Sequence, residues 1–84
     1  MELKYIIYND ALPVIFTKGM NHNDCQWHRD LIEGDRTPTS AGFCSIYVED
    51  GQLAVSVYGE SVSLNIKSKP EDAEIILLNL LPKV

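Results

Sequence analysis

The fold of this chain is decided by residues 42–66, which read Gly-Phe-Cys-Ser-Ile-Tyr-Val-Glu-Asp-Gly-Gln-Leu-Ala-Val-Ser-Val-Tyr-Gly-Glu-Ser-Val-Ser-Leu-Asn-Ile. Asp50-Gly51 separates two runs in which apolar and polar residues alternate. Asp-Gly is a strong hairpin signal, because both central residues of a type I′ turn need positive φ. Gly59-Glu60 follows the second run and has the glycine-first pattern of a type II′ turn. The sequence therefore predicts a three-stranded antiparallel meander.

The two predicted turns place the same residues on the same face of the meander. That face carries a three-by-three apolar lattice with the rows Cys44-Val57-Val62, Ile46-Val55-Leu64 and Val48-Leu53-Ile66. A slip of one residue would turn the apolar set of a strand outward. The agreement between two separate turns therefore supports this register.

The opposite face of the predicted meander is small, hydroxylated and aromatic, and it carries charge only at one end. One interpretation is an ordinary half-solvated sheet face. The other is a binding surface, because interface cores are enriched in aromatic residues and depleted in charge. We expect this face to bind a protein partner or a second copy of the chain in a homodimer, through Phe43, Tyr47, Tyr58, Ser45, Ser56 and Ser63.

The N-terminal half is expected to supply a hairpin and a short helix. Lys4–Tyr8 and Pro13–Thr17 are β-rich runs on either side of the turn signal Asn9-Asp10. A helix is predicted over residues 22–32. Residues 35–40 are expected to form the longest loop.

The C-terminal segment predicts a second helix. Ser68 and Glu71 have the spacing of a capping box. An i, i+3, i+4, i+7 apolar face follows, made of Ala73, Ile76, Leu77 and Leu80, and it is expected to pack on the Ile46-Val55-Leu64 row. The expected fold is one α+β domain over residues 1–84, with an antiparallel sheet (N-terminal hairpin plus three-stranded meander), one short helix and a C-terminal helix packed on the sheet.

Composition narrows the classes of function. The 84 residues carry a net charge of −5, which disfavours binding to nucleic acid, since phosphate contacts need clustered Lys and Arg. The longest apolar-rich run, Ile75–Leu81, is too short to span a bilayer, and no signal peptide is recognisable. Two cysteines do not make a disulfide framework. We expect a cytoplasmic protein with reduced cysteines, no cofactor, and no nucleic-acid or membrane partner.

His22, Cys25 and His28 are the residues that invite a chemical function. On one helix, the two histidines would be separated by roughly 9 Å along the axis at ~1.5 Å per residue, whereas tetrahedral zinc needs its ligands much closer together. Cys25 and His28 have the spacing of a nucleophile and a base, but nothing in the sequence marks an oxyanion hole. The expected function is a small, acidic, non-enzymatic protein-interaction domain; the alternative is an enzyme or metal-binding protein using His22, Cys25 and His28.

Three strings in the C-terminal half carry a resemblance to known sequences. They are Ser40-Ala-Gly-Phe, Tyr58-Gly-Glu-Ser-Val-Ser-Leu and Ser68-Lys-Pro-Glu-Asp-Ala. In this order they resemble small uncharacterised proteins of phages and prophages. The resemblance implies a bacterial or phage cytosolic setting and no assigned activity, and it transfers no functional residue.

Overall fold

The computed structural model describes residues 2–22 and 37–81. A four-stranded antiparallel sheet has the order β2-β1-β3-β4 and consists of β1 (Glu2–Tyr8), β2 (Leu12–Phe16), β3 (Pro38–Glu49) and β4 (Gln52–Tyr58). A small hairpin of β5 (Glu60–Ser61) and β6 (Ile66–Lys67) follows, and then helix α1 (Asp72–Leu80). The α+β class is confirmed. The helix expected over residues 22–32 falls, apart from His22, outside the described residues.

Two hairpins form as the sequence predicts. In the β3–β4 hairpin Ile46 lies opposite Val55, which is the predicted register. Asp50 and Gly51 have φ values of 52° and 77°, as a type I′ turn requires. The β1–β2 hairpin turns at Asn9 and Asp10, which also have positive φ. Asn and Asp tolerate this left-handed region better than other non-glycine residues do.

The N-terminal hairpin joins the sheet through β1, which pairs with β3. Tyr5 lies opposite Gly42, and Ile7 opposite Ser40. β3 therefore begins at Pro38, and the loop expected over residues 35–40 is wrong for 38–40. This segment is a strand because it supplies the second hydrogen-bonding neighbour of β1.

The prediction of a third meander strand is wrong. Ser61 pairs with Ile66 within the small hairpin, so residues 60–67 do not extend the sheet beyond β4. The Ser61 hydroxyl accepts a bond from the Leu64 amide at 3.2 Å, and Asn65 takes a φ of 57°. Serine and asparagine stabilise turns through such local bonds. The alternating apolar residues of this segment pack on the other face of the sheet: Leu64 and Ile66 contact the cluster of Ile6, Tyr8 and Ala41.

The helix packs on the lattice face of the sheet, as expected, but its contact surface is shifted. Ile76 is fully buried in one cluster with Tyr5, Ile7 and Cys44, against which Val55, Val57 and Ile75 also pack. Leu80 is 39% exposed, so the prediction that it packs on the sheet with Ile76 is wrong. We call this side of the sheet the helix-covered face. Among the described residues, no helix has the length and apolar character needed to cross a membrane.

The predicted capping box of Ser68 and Glu71 does not form. The cap residue of α1, Glu71, makes no side-chain cap bond. Instead, the carboxylate of Asp72 accepts a bond from the Lys69 amide at 2.9 Å. Ser68 closes the base of the β5–β6 hairpin, because its amide and its hydroxyl both donate to the Gly59 carbonyl, at 3.1 and 2.8 Å.

Candidate functional site

Five of the six residues predicted to bind a partner share one face of the sheet. Phe43 lies opposite Tyr58, and Ser45 opposite Ser56. Side chains two residues apart on a strand point to the same side, which adds Tyr47. Ser63 is separate from them, because it lies in the 62–65 turn instead of on a third strand. We call this surface the aromatic face: Phe43, Ser45, Tyr47, Ser56 and Tyr58.

The aromatic face is partly open. The rings of Phe43 and Tyr58 stack with their centroids 5.6 Å apart and their planes 17° from parallel. Tyr47 and Tyr58 are each 41% exposed. The β5–β6 hairpin covers the same side of the sheet only where it contacts β1 and the start of β3.

Charged residues border the aromatic face along β1. Glu2 lies beside Ser45 in the sheet, and Lys4 lies beside Phe43. The Lys4 ammonium is 5.9 Å from the centre of the Phe43 ring and donates to the Met20 carbonyl. This border could not be predicted from the sequence, because it depends on the pairing of β1 with β3.

Two bonds hold Glu2 in this border. Lys18 donates to its carboxylate at 2.8 Å, and this bond is the main cause that lowers the pKa of Glu2. Tyr58 donates to the same carboxylate. Burial and this bond raise the pKa of Tyr58.

An open cleft of about 620 Å³ adjoins the aromatic face. Phe43 belongs to both surfaces. The cleft lies between the sheet and the β5–β6 hairpin, and its other lining residues are Lys4, Asn21, His22, Gly59, Glu60, Val62 and Ser63. This volume is within the ~300–1,000 Å³ of typical ligand pockets. The cleft could not be predicted from the sequence, because its formation depends on the β5–β6 hairpin folding back over the sheet.

Gly59 lets the chain turn directly above the Phe43 ring. Its φ is +76°, and an added Cβ would lie 2.9 Å from Cδ2 of Phe43. Gly42 is equally constrained, since an added Cβ would lie 2.7 Å from the carbonyl oxygen of Tyr58. These two glycines fix the wall of the cleft at the end of β4.

His22 is a packed residue at the back of the cleft. Its Nε2 donates to the Gly42 carbonyl at 2.9 Å. The imidazole makes edge-on contacts with the rings of Phe16 and Phe43, at centroid distances of 5.3 and 6.1 Å. Burial is the main cause that lowers its pKa. The neutral form of the ring is therefore favoured in the folded chain, and Nε2 is bonded to the backbone.

The other two members of the proposed chemical group are Cys25 and His28. Cys25 and His28 lie outside the described residues. Within residues 2–22 and 37–81, no three His, Cys, Asp or Glu side chains form a cluster that could hold a metal ion. Cys44 is buried on the helix-covered face, and burial raises the pKa of its thiol to about 11. A thiol of this kind is unreactive, because the thiolate is the nucleophile.

A second buried polar group lies under the helix, at Asp72. Its carboxylate accepts a bond from the Tyr5 hydroxyl at 2.6 Å and from the Ser40 hydroxyl at 2.9 Å. The Lys69 amide supplies a third bond. Buried carboxylates need such partners because desolvation of an unpaired charge is costly. None of these four residues lines the cleft beside Phe43, and we interpret the group as a structural anchor between α1 and the sheet.

Comparisons of this chain with protein-family models, with curated proteins and with solved structures found no match.

Proposed function

We propose that this chain is a small, non-enzymatic protein-interaction domain whose contact surface is the aromatic face. The observation that supports this most directly is the pair of tyrosines, Tyr47 and Tyr58, left 41% exposed on a sheet surface without charge at its centre. An exposed apolar surface with a polar rim is typical of binding sites. Glu2, Lys4 and Lys18 supply the rim here.

The cleft beside Phe43 gives this surface an anchor point. Interfaces concentrate their binding free energy in a few side chains that enter well-packed pockets. The Phe43 ring forms one wall, and Val62, 85% exposed in the hairpin turn, forms another. An aliphatic or aromatic side chain of the partner fits this lining. A cytosolic setting and a phage or prophage origin belong to the same proposal and rest on the sequence alone.

The alternative, an enzyme or metal site at His22, Cys25 and His28, gains no support from the surroundings of His22. Within residues 2–22 and 37–81, His22 belongs to no group of three or more His, Cys, Asp or Glu side chains that could hold a metal. Elemental analysis of protein purified without chelator tests this alternative. Stoichiometric zinc or iron would favour it over the interaction domain.

Capture of proteins from a bacterial lysate tests the proposed function with a matched pair of variants. Tyr47→Glu places a charge on the aromatic face, and Leu78→Glu places the same charge on the exposed side of α1, where Leu78 is 59% exposed. We expect the wild-type protein and Leu78→Glu to retain the same proteins, identified by mass spectrometry, and Tyr47→Glu to lose them. Equal retention by all three, or no retention by the wild type, would contradict the proposal.

A further inference from the structure

We propose that two copies of this chain pair antiparallel along β4, about a two-fold axis at Val55, to make one continuous sheet. The proposal concerns the edge of the sheet and therefore a different surface from the aromatic face. The starting observation is that β4 is an end strand in the order β2-β1-β3-β4.

The hydrogen-bonding groups of β4 have a defined direction. The residues that flank a two-residue hairpin loop exchange hydrogen bonds, and such pairs then alternate along the ladder. Gln52, Ala54, Ser56 and Tyr58 therefore bond to β3. The N–H and C=O groups of Leu53, Val55 and Val57 point away from it. Within residues 2–22 and 37–81, no backbone group bonds to this outer edge.

β4 also lacks the sequence and register features by which edge strands avoid pairing. Natural edges are protected by charged side chains, proline, bulges or short length. Residues 52–58, Gln-Leu-Ala-Val-Ser-Val-Tyr, contain no charge and no proline. The register with β3 is regular over all seven residues. An edge of this kind is a template for another strand.

The best register follows from the position of the outward groups. Only a two-fold axis at Val55 lets all three outward residues of each copy form hydrogen bonds with the other copy. Val55 then lies opposite Val55, and Leu53 lies opposite Val57. Apolar residues then meet on the helix-covered side. On the other side, Ala54 meets Ser56 and Gln52 meets Tyr58. No charged side chains lie opposite each other along the strand. Two copies, each with a net charge of −5, therefore bring no like charges together in this contact.

The pairing has a structural result that a face-to-face dimer lacks. The two-fold axis is perpendicular to the sheet, so both helices lie on one side and both aromatic faces lie on the other. The two aromatic faces become neighbours across the axis. From the sequence, a protein partner or a second copy is expected to cover this face. Edge pairing of two copies leaves the face open and doubles its extent.

Matched substitutions at Leu53 test the pairing. Leu53→Pro removes an outward N–H, and proline is tolerated on an edge strand where that group faces solvent. Leu53→Ala also shortens the side chain but keeps the N–H. By light scattering over a concentration series, we expect the wild type and Leu53→Ala at twice the chain mass of 9.4 kDa and Leu53→Pro at the mass of one chain, with an unchanged circular dichroism spectrum. A monomeric wild type, or a Leu53→Pro dimer, would overturn the proposal.

Cross-linking tests the register without depending on the folding of the proline variant. In a Cys25→Ser background, Val55→Cys places two thiols in a directly opposite pair with Cα atoms about 5.5 Å apart, within the range for a disulfide. Ser56→Cys places its thiols diagonally, at about 7–8 Å. We expect the first variant to cross-link on mild oxidation and the second to remain uncross-linked. Equal cross-linking of both would reject the axis at Val55.

A charge substitution separates this proposal from the proposed function. Tyr47→Glu leaves the edge intact, and Leu53→Pro leaves Tyr47 in place. Edge pairing is supported if Tyr47→Glu remains dimeric while Leu53→Pro does not. It is overturned if Tyr47→Glu alone abolishes the dimer, because the aromatic face would then be the contact between copies.

Discussion

The helix-covered face is closed by α1, with Ile76 fully buried against Tyr5 and Ile7. On the opposite face, the cover that the described residues provide is partial and comes from Leu64 and Ile66 of the β5–β6 hairpin. The helix is a regular element that lies across the sheet and contacts both edge strands, β2 and β4. The hairpin depends on a few local bonds at Ser61 and Ser68. The difference leaves the β3–β4 half of one face available for binding.

The polar groups on the two sides differ in the same way. Asp72 is 1% exposed and accepts three bonds. Glu2 lies at the surface, where its ion pair with Lys18 is solvated and contributes little to stability. Buried polar groups with full partners fix the position of elements, whereas exposed ones leave a surface adaptable. We therefore expect substitutions beneath the helix to cost stability and those on the aromatic face to cost binding.

Truncation of one apolar residue on each side gives the largest expected effect. Ile76→Ala should lower the free energy of unfolding by about 2–5 kcal/mol, as for other buried isoleucines. Leu64→Ala, at a half-buried residue on the opposite side, should cost about 1–2 kcal/mol because less apolar surface is lost. Urea unfolding followed by circular dichroism measures both. Equal losses would contradict the view that the helix is the stronger cover.

Removing a tyrosine hydroxyl on each side compares the two polar groups. Tyr5→Phe should cost about 1.5–3 kcal/mol, because the buried Asp72 carboxylate loses a donor. Tyr58→Phe should stay within about 0.5 kcal/mol, as for most surface substitutions. Chemical denaturation at pH 7 measures the difference. A larger cost at Tyr58 would show that the exposed bond to Glu2 matters more than the buried one.

The same tyrosine predicts an alkaline dependence. Burial and Asp72 raise the pKa of Tyr5, so its protonated form is favoured in the folded chain. The resulting stability is complete below the unfolded pKa of about 10 and is lost as pH rises above it. We expect wild-type stability to fall above pH 10 more steeply than that of Tyr5→Phe. Parallel curves for the two proteins would rule out this contribution.

Loosening the hairpin gives a smaller effect. Ser68→Ala removes the hydroxyl bond to the Gly59 carbonyl but leaves the amide bond in place, so the loss should be about 0.5–1.5 kcal/mol. The change should be local, with faster amide hydrogen exchange at Leu64 and Ile66 and unchanged exchange in α1. Exchange that rises equally in the hairpin and the helix would mean that the two covers unfold together.

The smallest effect concerns pH and His22. Its pKa is lowered in the folded chain, so the folded chain favours the neutral ring. The stability that the neutral ring contributes is complete above the unfolded pKa of about 6.5 and is lost as pH falls below that value. His22→Gln removes the titration and retains a side-chain donor. We expect the stability of the wild type to fall more than that of His22→Gln between pH 6.5 and pH 5. The reverse order would show that the folded chain stabilises the charged ring.

Local signals predicted the parts of this fold that depend on neighbouring residues. Asp50-Gly51 and Asn9-Asp10 specify their turns because few residues accept positive φ, and the β3–β4 register follows from the turn. The i, i+3, i+4 pattern identified the helix and its buried Ile76. Five of the six proposed binding residues share a face for the same reason.

The remaining features depend on contacts that alternation cannot specify. Leu64 and Ile66 have the same spacing whether they extend a sheet or cover one, and the choice is made by local bonds at Ser61 and by Asn65 in the left-handed region. The cleft and the charged border follow from this choice and from the pairing of β1 with β3. Asp72 belongs to no apolar pattern, and it differs from the exposed Glu71 in accepting bonds from Tyr5, Ser40 and the Lys69 amide.

The central position of β1 has a consequence for the order in which the chain can fold. The β1–β2 hairpin is made of local contacts, but Glu2 at the start of the chain pairs with Ser45 beyond its midpoint. Contacts between distant residues form slowly because they close long loops. On a ribosome, β1 and β2 are synthesised before β3. Until β3 emerges, the edge of β1 that pairs with it, at Ile6 and Ile7, has no partner strand. The step that limits the folding rate should therefore be the docking of this early hairpin onto β3.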